Sequence, residues 1–146
     1  MKESGHILLD GDVVRYRSAA YGDWDLPVSD VRIIGEATNQ NGPFADDYFF
    51  CFASGPGMWH EASFYAEGRD EFLRLLGAKL GSPLQAGLYD SADFASRVLW
   101  PPSLGGEPMF RFDAIPPKGL LGKLFRSWKI DQTYSQRVAA VLAGDA

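Results

Sequence analysis

Apolar residues along the chain fall into short runs that are separated by glycine, proline, asparagine and aspartate. Two such runs, at 7–9 and 13–17, flank Asp10-Gly11-Asp12. Because Asp-Gly between apolar runs favours a tight turn, this pattern predicts a β-hairpin. The residues at 21–25 read as a loop. Further runs bounded by turn residues predict strands over 28–37, 84–89, 96–100 and 109–113.

A second hairpin is predicted over 48–65. Its two aromatic-rich runs are separated by Ser54-Gly55-Pro56-Gly57, which reads as a four-residue loop. Pairing that is symmetric about this loop would place Cys51 opposite His60 and Phe52 opposite Trp59. Both faces of the hairpin would then be largely apolar, so we expect each face to be covered. This favours a strongly curved sheet, a small barrel, or a sheet with a helix on one face.

Two helices are predicted, at about 70–80 and 134–143. In the first, Phe72, Leu75, Leu76 and Leu80 recur at the spacing of one helical face. Gly81 follows where a helix commonly ends in the left-handed conformation. In the second helix, Val138, Val141 and Leu142 fall on one side.

A basic amphipathic segment precedes the second helix, at 118–129. Apolar residues between 120 and 128 form a helical stripe, and Lys118, Lys123, Arg126 and Lys129 lie away from it. Together with Trp128, these are candidate binding residues for an anionic membrane or an acidic partner. The alternative is that the stripe packs on the domain's own sheet and the basic side chains are solvated.

Length and composition are those of one folded domain spanning 1–146, since 46% of the 146 residues are hydrophobic. The net charge of −5 argues against a nucleic-acid partner. This charge is unevenly distributed: residues 1–117 hold 9 basic and 17 acidic residues, and residues 118–146 hold 5 basic and 2 acidic residues. An acidic body with a basic end favours docking of that end on its own domain.

The single cysteine, Cys51, excludes an intrachain disulfide and favours a reducing, cytoplasmic location. The N-terminus lacks the apolar core of a signal peptide, and no stretch approaches the roughly 18 apolar residues of a transmembrane helix. We therefore expect a soluble, unprocessed protein without a transmembrane segment.

Candidate chemistry is limited by the presence of only two histidines, His6 and His60. His60-Glu61 begins like a zinc-protease motif but lacks the second histidine, and the aspartate pairs near 10–12 and 23–25 lack the remaining ligands of a calcium loop. We therefore expect no metal and no cofactor. Cys51 and His60 form the only candidate catalytic pair, because a histidine beside a cysteine can activate the thiol. Alternatively, both residues fill the core.

Two aromatic residues, Tyr21 and Trp24, lie in the predicted loop at 21–25, which is rich in glycine and aspartate. Burial in a core is not guaranteed there, and aromatic residues are enriched at interface hot spots. Tyr21 and Trp24 are therefore candidate binding residues for a protein partner.

The stretch at 26–35, Leu-Pro-Val-Ser-Asp-Val-Arg-Ile-Ile-Gly, resembles one seen in pleckstrin-homology-like domains. In that superfold a similar step leads into a strand of a curved sheet, and a helix ends the domain. The resemblance covers the first half of the chain, and the helix predicted at about 70–80 departs from it. Only Arg15 and Arg17 match the basic first hairpin of lipid-binding members, so lipid binding is not implied.

These observations predict an α+β domain: a curved antiparallel sheet or partly open barrel of six or seven short strands with two main helices. We expect a non-enzymatic protein-interaction or ligand-binding module. The alternatives are a small enzyme with a pocket that no sequence motif indicates, and peripheral membrane association through residues 118–129.

Overall fold

The computed structural model describes residues 4–39, 46–88, 95–115 and 129–144. Within these residues the chain has an α+β fold with nine strands and two helices. The strands are β1 His6–Asp10, β2 Val13–Arg17, β3 Trp24–Pro27, β4 Ile33–Thr38, β5 Tyr48–Gly55, β6 Met58–Ser63, β7 Ser96–Trp100, β8 Phe110–Ile115 and β9 Lys129–Tyr134. The helices are α1 Arg69–Leu80 and α2 Gln136–Leu142, and short 3-10 turns cover Val28–Asp30 and Pro102–Leu104.

The strands form three antiparallel sheets, and none of them closes into a barrel over the described ranges. Their orders are β1-β2-β3, β6-β5-β4-β7 and β8-β9. The first hairpin is confirmed, since Asp10 pairs with Val13 across the predicted turn. The region at 21–25 is not all loop, because Trp24 and Asp25 begin β3 and pair with β2. This third strand and β9, which were not predicted, raise the strand number above the expected six or seven.

The central sheet, β6-β5-β4-β7, carries an apolar layer on each face. The first core lies between this sheet, the β1–β3 sheet and α1, and includes Ile7, Val14, Tyr16, Ile34, Phe50, Phe52, Phe72 and Leu76. The second core lies between the central sheet, the β8-β9 ribbon and α2, and includes Ile33, Cys51, Ala53, Val98, Met109, Val138 and Leu142. Both faces are therefore covered, as the apolar hairpin predicted.

The register of the β5-β6 hairpin differs by one residue from the symmetric pairing expected from the sequence. Phe52 pairs with His60, and Cys51 pairs with Glu61. Pairing of Gly55 with Met58 leaves only Pro56 and Gly57 in the turn, and an irregularity between Ala53 and Gly55 then offsets the rest of the ladder by one residue. Because neighbouring positions on a strand face opposite sides, a one-residue shift moves His60 to the face opposite Cys51. The predicted Cys51–His60 pair is therefore wrong.

The outer edge of β6 is capped by aromatic side chains from the other two sheets. The Trp24 indole N–H donates to the Glu61 carbonyl oxygen at 2.9 Å. The Tyr134 hydroxyl donates to the Met58 carbonyl oxygen at 2.7 Å. At the far end of β6, the Ser63 amide donates to the Tyr16 hydroxyl at 3.3 Å. These bonds satisfy edge backbone groups that would otherwise be open to pairing with another chain.

Both predicted helices are confirmed. Helix α1 ends at Gly81, whose φ of 70° is the left-handed conformation expected there. Helix α2 begins after Ser135, whose hydroxyl accepts a hydrogen bond from the Val138 amide at 3.3 Å, an N-cap interaction. At its other end the Arg32 guanidinium donates to the Leu142 carbonyl oxygen at 2.6 Å. This bond joins α2 to the segment that leads into β4.

Candidate functional site

A groove of about 750 Å³ lies between α1 and the residues that follow it. We call residues 81–88 the return segment, because the chain there reverses and runs back along the helix. Phe64, Leu73 and Leu84 contribute apolar surface to the groove, and Arg69 and Arg74 contribute charge. A concave apolar surface with a few polar groups is the usual form of a binding site.

A glycine in α1 permits the close approach of the return segment. Gly77 is buried, and a Cβ atom placed on it would lie 3.0 Å from the Ser82 carbonyl oxygen and 3.4 Å from the Leu84 amide nitrogen. The Ser82 amide also donates to the Gly77 carbonyl oxygen at 3.0 Å. The groove is therefore closed near Gly77. Arg69, two helical turns earlier, lies toward its other end.

The return segment resembles a strand in its pattern of burial. Pro83, Gln85 and Gly87 are exposed, whereas Leu84 is buried and Ala86 is half-buried. This alternation is that of a half-buried strand, although residues 84–88 form no ladder with the sheet. The strand predicted over 84–89 is thus an irregular segment, as far as Leu88, with strand-like side-chain directions.

The buried carboxylate of Glu36 anchors the return segment to the central sheet. Glu36 is fully buried on β4, and its oxygens accept hydrogen bonds from the Gly87 amide at 3.0 and 3.1 Å and from the Leu88 amide at 3.3 Å. The Arg97 guanidinium donates at 3.0 Å through Nε and 2.7 Å through Nη2. The Tyr48 hydroxyl also donates to Glu36. A buried charge is tolerated when it is paired and hydrogen-bonded in this way.

Arg97 reinforces the same wall of the groove. Its Nη2 also donates to the Gln85 carbonyl oxygen at 3.0 Å. Gly87 lies directly beneath this side chain, and a Cβ atom there would fall 2.3 Å from Arg97 Nη2. The return segment is therefore held at Gln85 and Gly87 on the side that faces the sheet.

A stack of side chains connects this network to the mouth of the groove. The Phe64 ring stacks on Tyr48 with a centroid distance of 4.1 Å and an interplanar angle of 4°. The Arg69 guanidinium carbon lies 4.0 Å from the centroid of the Phe64 ring, a cation–π arrangement. Arg69 Nη1 also donates to the Phe64 carbonyl oxygen at 3.0 Å. Arg69 is therefore held in place by two contacts with one residue.

Each groove arginine is paired with an acidic neighbour on the surface of α1. Arg69 Nε donates to Asp70 at 3.0 Å, and Arg74 Nη2 donates to Glu71 at 2.6 Å. The Arg74 guanidinium lowers the pKa of Glu71, and the pKa of Arg74 is raised in return. Because these acidic side chains are exposed, the pairs contribute little to stability.

The candidate catalytic residues do not line this groove, and they lie on opposite faces of the central sheet. Cys51 is fully buried in the second core, and burial, with smaller contributions from Glu61 and Glu36, raises the pKa of its thiol well above the ordinary value. His60 packs on Trp24 with a centroid distance of 5.0 Å, and its buried Nδ1 atom has no hydrogen-bond partner among the described residues. A protonated, inaccessible thiol is a poor nucleophile.

We expect native Cys51 to react with iodoacetamide at pH 7 at least about 100-fold more slowly than in the urea-unfolded chain, because its thiol is inaccessible and protonated. Mass spectrometry of timed, quenched samples measures both rates with the same single thiol. Equal rates in the native and unfolded protein would contradict the buried position of Cys51.

The aromatic binding candidates lie against the first core. Trp24 is half-buried and its ring contacts Tyr16 and Phe52 at centroid distances of 5.8 and 5.5 Å. Tyr21 is half-buried, and its ring meets Phe49 edge-on at 5.2 Å. Their polar groups also bond within the protein, since the Tyr21 hydroxyl accepts from the Asp46 amide at 2.9 Å. A binding role for Tyr21 and Trp24 stays a prediction.

The basic binding candidates fall mostly outside the described residues. Lys118, Lys123 and Arg126 lie outside the described residues, as does Trp128. The predicted amphipathic helix at 118–129 therefore stays a prediction for those positions. Lys129 is described and begins β9, so the helix does not extend to that residue.

Sequence reasoning missed the groove. One signal was present: Glu36 is the only charged residue in the apolar run from Ile33 to Ala37. An acidic residue inside a strand that is buried on both faces requires a cationic or hydrogen-bonding partner. That rule predicts a network, but it does not indicate which later segment supplies it.

Comparison with protein-family models, curated proteins and solved structures finds no match for this chain. The resemblance to pleckstrin-homology-like domains therefore stays a prediction. No helix in the described residues has both the length and the apolar character needed to cross a membrane. Over the same residues, no three His, Cys, Asp or Glu side chains are grouped so that they could hold a metal ion.

Proposed function

We propose that this protein is a non-enzymatic protein-interaction module that binds a peptide segment in the groove between α1 and the return segment. The observation that carries this proposal is a strand-like segment that lies beside a helix and has unpaired backbone groups. Domains that recognise peptides by strand addition use the same combination, in which backbone hydrogen bonds supply affinity and side-chain pockets supply specificity.

From Gln85 to Leu88, the backbone groups of the return segment that make hydrogen bonds make them toward the central sheet. The Gln85 carbonyl and the Gly87 amide bond toward the central sheet. Leu84 and Ala86 line the groove beside α1. Neither residue makes a backbone hydrogen bond with any described part of the chain. An added strand could pair with them.

The walls of the groove are formed before a ligand binds. Glu36 and Arg97 fix the return segment, and the buried Phe72 and Leu76 fix α1 on the first core. A preformed site avoids the entropic cost of ordering its own chain when it binds. The apolar surface of Leu73 and Leu84 would accept a side chain of the peptide. The partner is therefore proposed to be a protein, and the single buried cysteine supports a reducing, cytoplasmic setting.

Selection from a displayed library of short random peptides tests this proposal. We expect the wild-type protein to enrich peptides, and Ala78→Trp to lose that enrichment. Ala78 is exposed and lines the groove, and a helical side chain leans toward the N-terminal turn, so the indole would cover the binding surface.

Leu75→Trp is the matched control, because Leu75 is 37% exposed on α1 and does not line the groove. It should enrich the same peptides as the wild type. If the wild type enriches nothing beyond what Ala78→Trp enriches, the groove is not a peptide site and the proposal is wrong.

A further inference from the structure

We infer that the peptide bound in the groove carries a carboxylate next to an apolar residue, and that Arg69 is the residue that selects it. This inference rests on the proposed function and names the chemistry of the ligand. Arg69 lines the groove beside Phe64 and Leu73, so a carboxylate that reaches the guanidinium places the adjoining residue of the peptide over apolar surface.

The Arg69 guanidinium is oriented before any ligand arrives. Its central carbon lies 4.0 Å from the centroid of the Phe64 ring, and the bond from Nη1 to the Phe64 carbonyl oxygen at 3.0 Å restricts its rotation. Its side chain is 28% exposed, so it is partly desolvated and still reachable. Charge-assisted hydrogen bonds are strongest when the donor is held in this way.

One edge of the guanidinium remains available for a carboxylate. In the described residues, Nη2 makes no hydrogen bond, and Nε bonds only to Asp70 at 3.0 Å. Nε and Nη2 form the side-on edge of an arginine, which binds a carboxylate through two parallel hydrogen bonds. Asp70 uses one of the two donors, and its side chain is 87% exposed, so a ligand carboxylate can displace it at little cost.

The charge at the groove is balanced, in contrast to the net charge of −5 for the whole chain. Arg69 pairs with Asp70, and Arg74 pairs with Glu71. An acidic peptide therefore meets less repulsion here than elsewhere on an acidic protein, and its carboxylate can replace Asp70 at Arg69. A neutral peptide would meet the same apolar surface without that exchange.

The test is the composition of the selected peptides, compared between the wild type and Arg69→Gln. We expect the wild type to enrich Asp or Glu next to an apolar position. Arg69→Gln should keep the apolar preference and lose the acidic one. Arg69→Lys keeps the charge but not the two-donor edge, and should lose most of the acidic preference.

Arg111→Gln is the matched control, because it removes the same charge from an exposed arginine on β8 that pairs with Asp113. It should select the same peptides as the wild type. Equal thermal unfolding midpoints of the variants confirm that folding is not the cause of any difference.

Two library formats distinguish the sources of a carboxylate. Peptides displayed internally offer only Asp or Glu side chains, and peptides displayed at a free C-terminus also offer the terminal carboxylate. For the best peptide, replacement of its carboxylate by the amide should weaken binding about tenfold. Enrichment of apolar peptides with no acidic preference in either format would overturn the role of Arg69 and leave the groove as a peptide site. No enrichment at all would overturn both proposals.

Discussion

Glu36→Gln is expected to lower the free energy of unfolding by about 3 kcal/mol, because one of the two acceptor oxygens is lost from a fully buried site. Within the described residues, the hydrogen-bonding partners of this carboxylate are all donors: the amides of Gly87 and Leu88, the Arg97 guanidinium and the Tyr48 hydroxyl. The glutamine amide would direct its own N–H groups at donors and leave Arg97 without its counter-ion. Urea denaturation followed by tryptophan fluorescence measures the loss.

Glu107→Gln is the matched control for this substitution. Glu107 is exposed and its carboxylate makes no hydrogen bond or ion pair with the described residues, so its replacement should change the unfolding free energy by less than about 0.5 kcal/mol. A loss for Glu36→Gln no larger than that for Glu107→Gln would contradict the anchoring role of Glu36. Leucine at position 36 should also be destabilising, since it leaves all of these donors unsatisfied.

Gly35→Ala is expected to destabilise the protein by about 3 kcal/mol, because there is no room for a methyl group on this side of β4. A Cβ atom at Gly35 would lie 2.2 Å from Met109 Sδ and 2.9 Å from the Arg97 carbonyl oxygen. Met109 is fully buried, and the carbonyl belongs to the neighbouring strand β7. Neither can move away without disturbing the second core. Urea denaturation of the variant checks the value.

Gly55→Ala is the control, since a Cβ atom at Gly55 meets nothing within 4 Å. We expect it to leave stability nearly unchanged. The cause of the Gly35 effect can be isolated in the Met109→Ala background, where one of the two close contacts is removed. Gly35→Ala should cost less there than in the wild type, and an equal cost would show that Met109 is not responsible.

The fold was predictable where the signal is local. The turn after Asp10 and the helix ended by Gly81 are set by residues whose backbone preferences decide the structure. The two-sided burial of β5 was also predictable, because a strand with apolar residues on both faces must be covered twice. In each of these cases the sequence pattern on which the prediction rests lies within a few residues.

The prediction was wrong where one residue decides the register. The irregularity at Ala53 and Gly55 reverses the faces of one strand relative to the other, beside a turn that is shorter than expected. A glycine in a strand can mark such an irregularity, but the sequence Ser-Gly-Pro-Gly suits both a long and a short turn. The Cys51–His60 hypothesis depended entirely on that choice.

The groove could not be predicted because it depends on contacts between distant parts of the chain. Glu36 bonds to residues 87 and 88, and Arg97 bonds to Gln85. These pairs are farther apart in the sequence than the repeat of a helix or a strand, so hydrophobic periodicity does not indicate them. Arg69 looked like an ordinary helix-start residue, and only its position over Phe64 distinguishes it from other exposed arginines. These contacts are fixed by tertiary packing and not by local preference.

The two apolar layers share one wall, since β4 supplies Ile34 to one core and Ile33 to the other, and β5 supplies Phe52 and Cys51 in the same way. Loss of packing on one face would therefore shift backbone atoms that the opposite face also needs. The two layers should act as a single thermodynamic unit, in which opening is all-or-none and neither half survives the melting of the other.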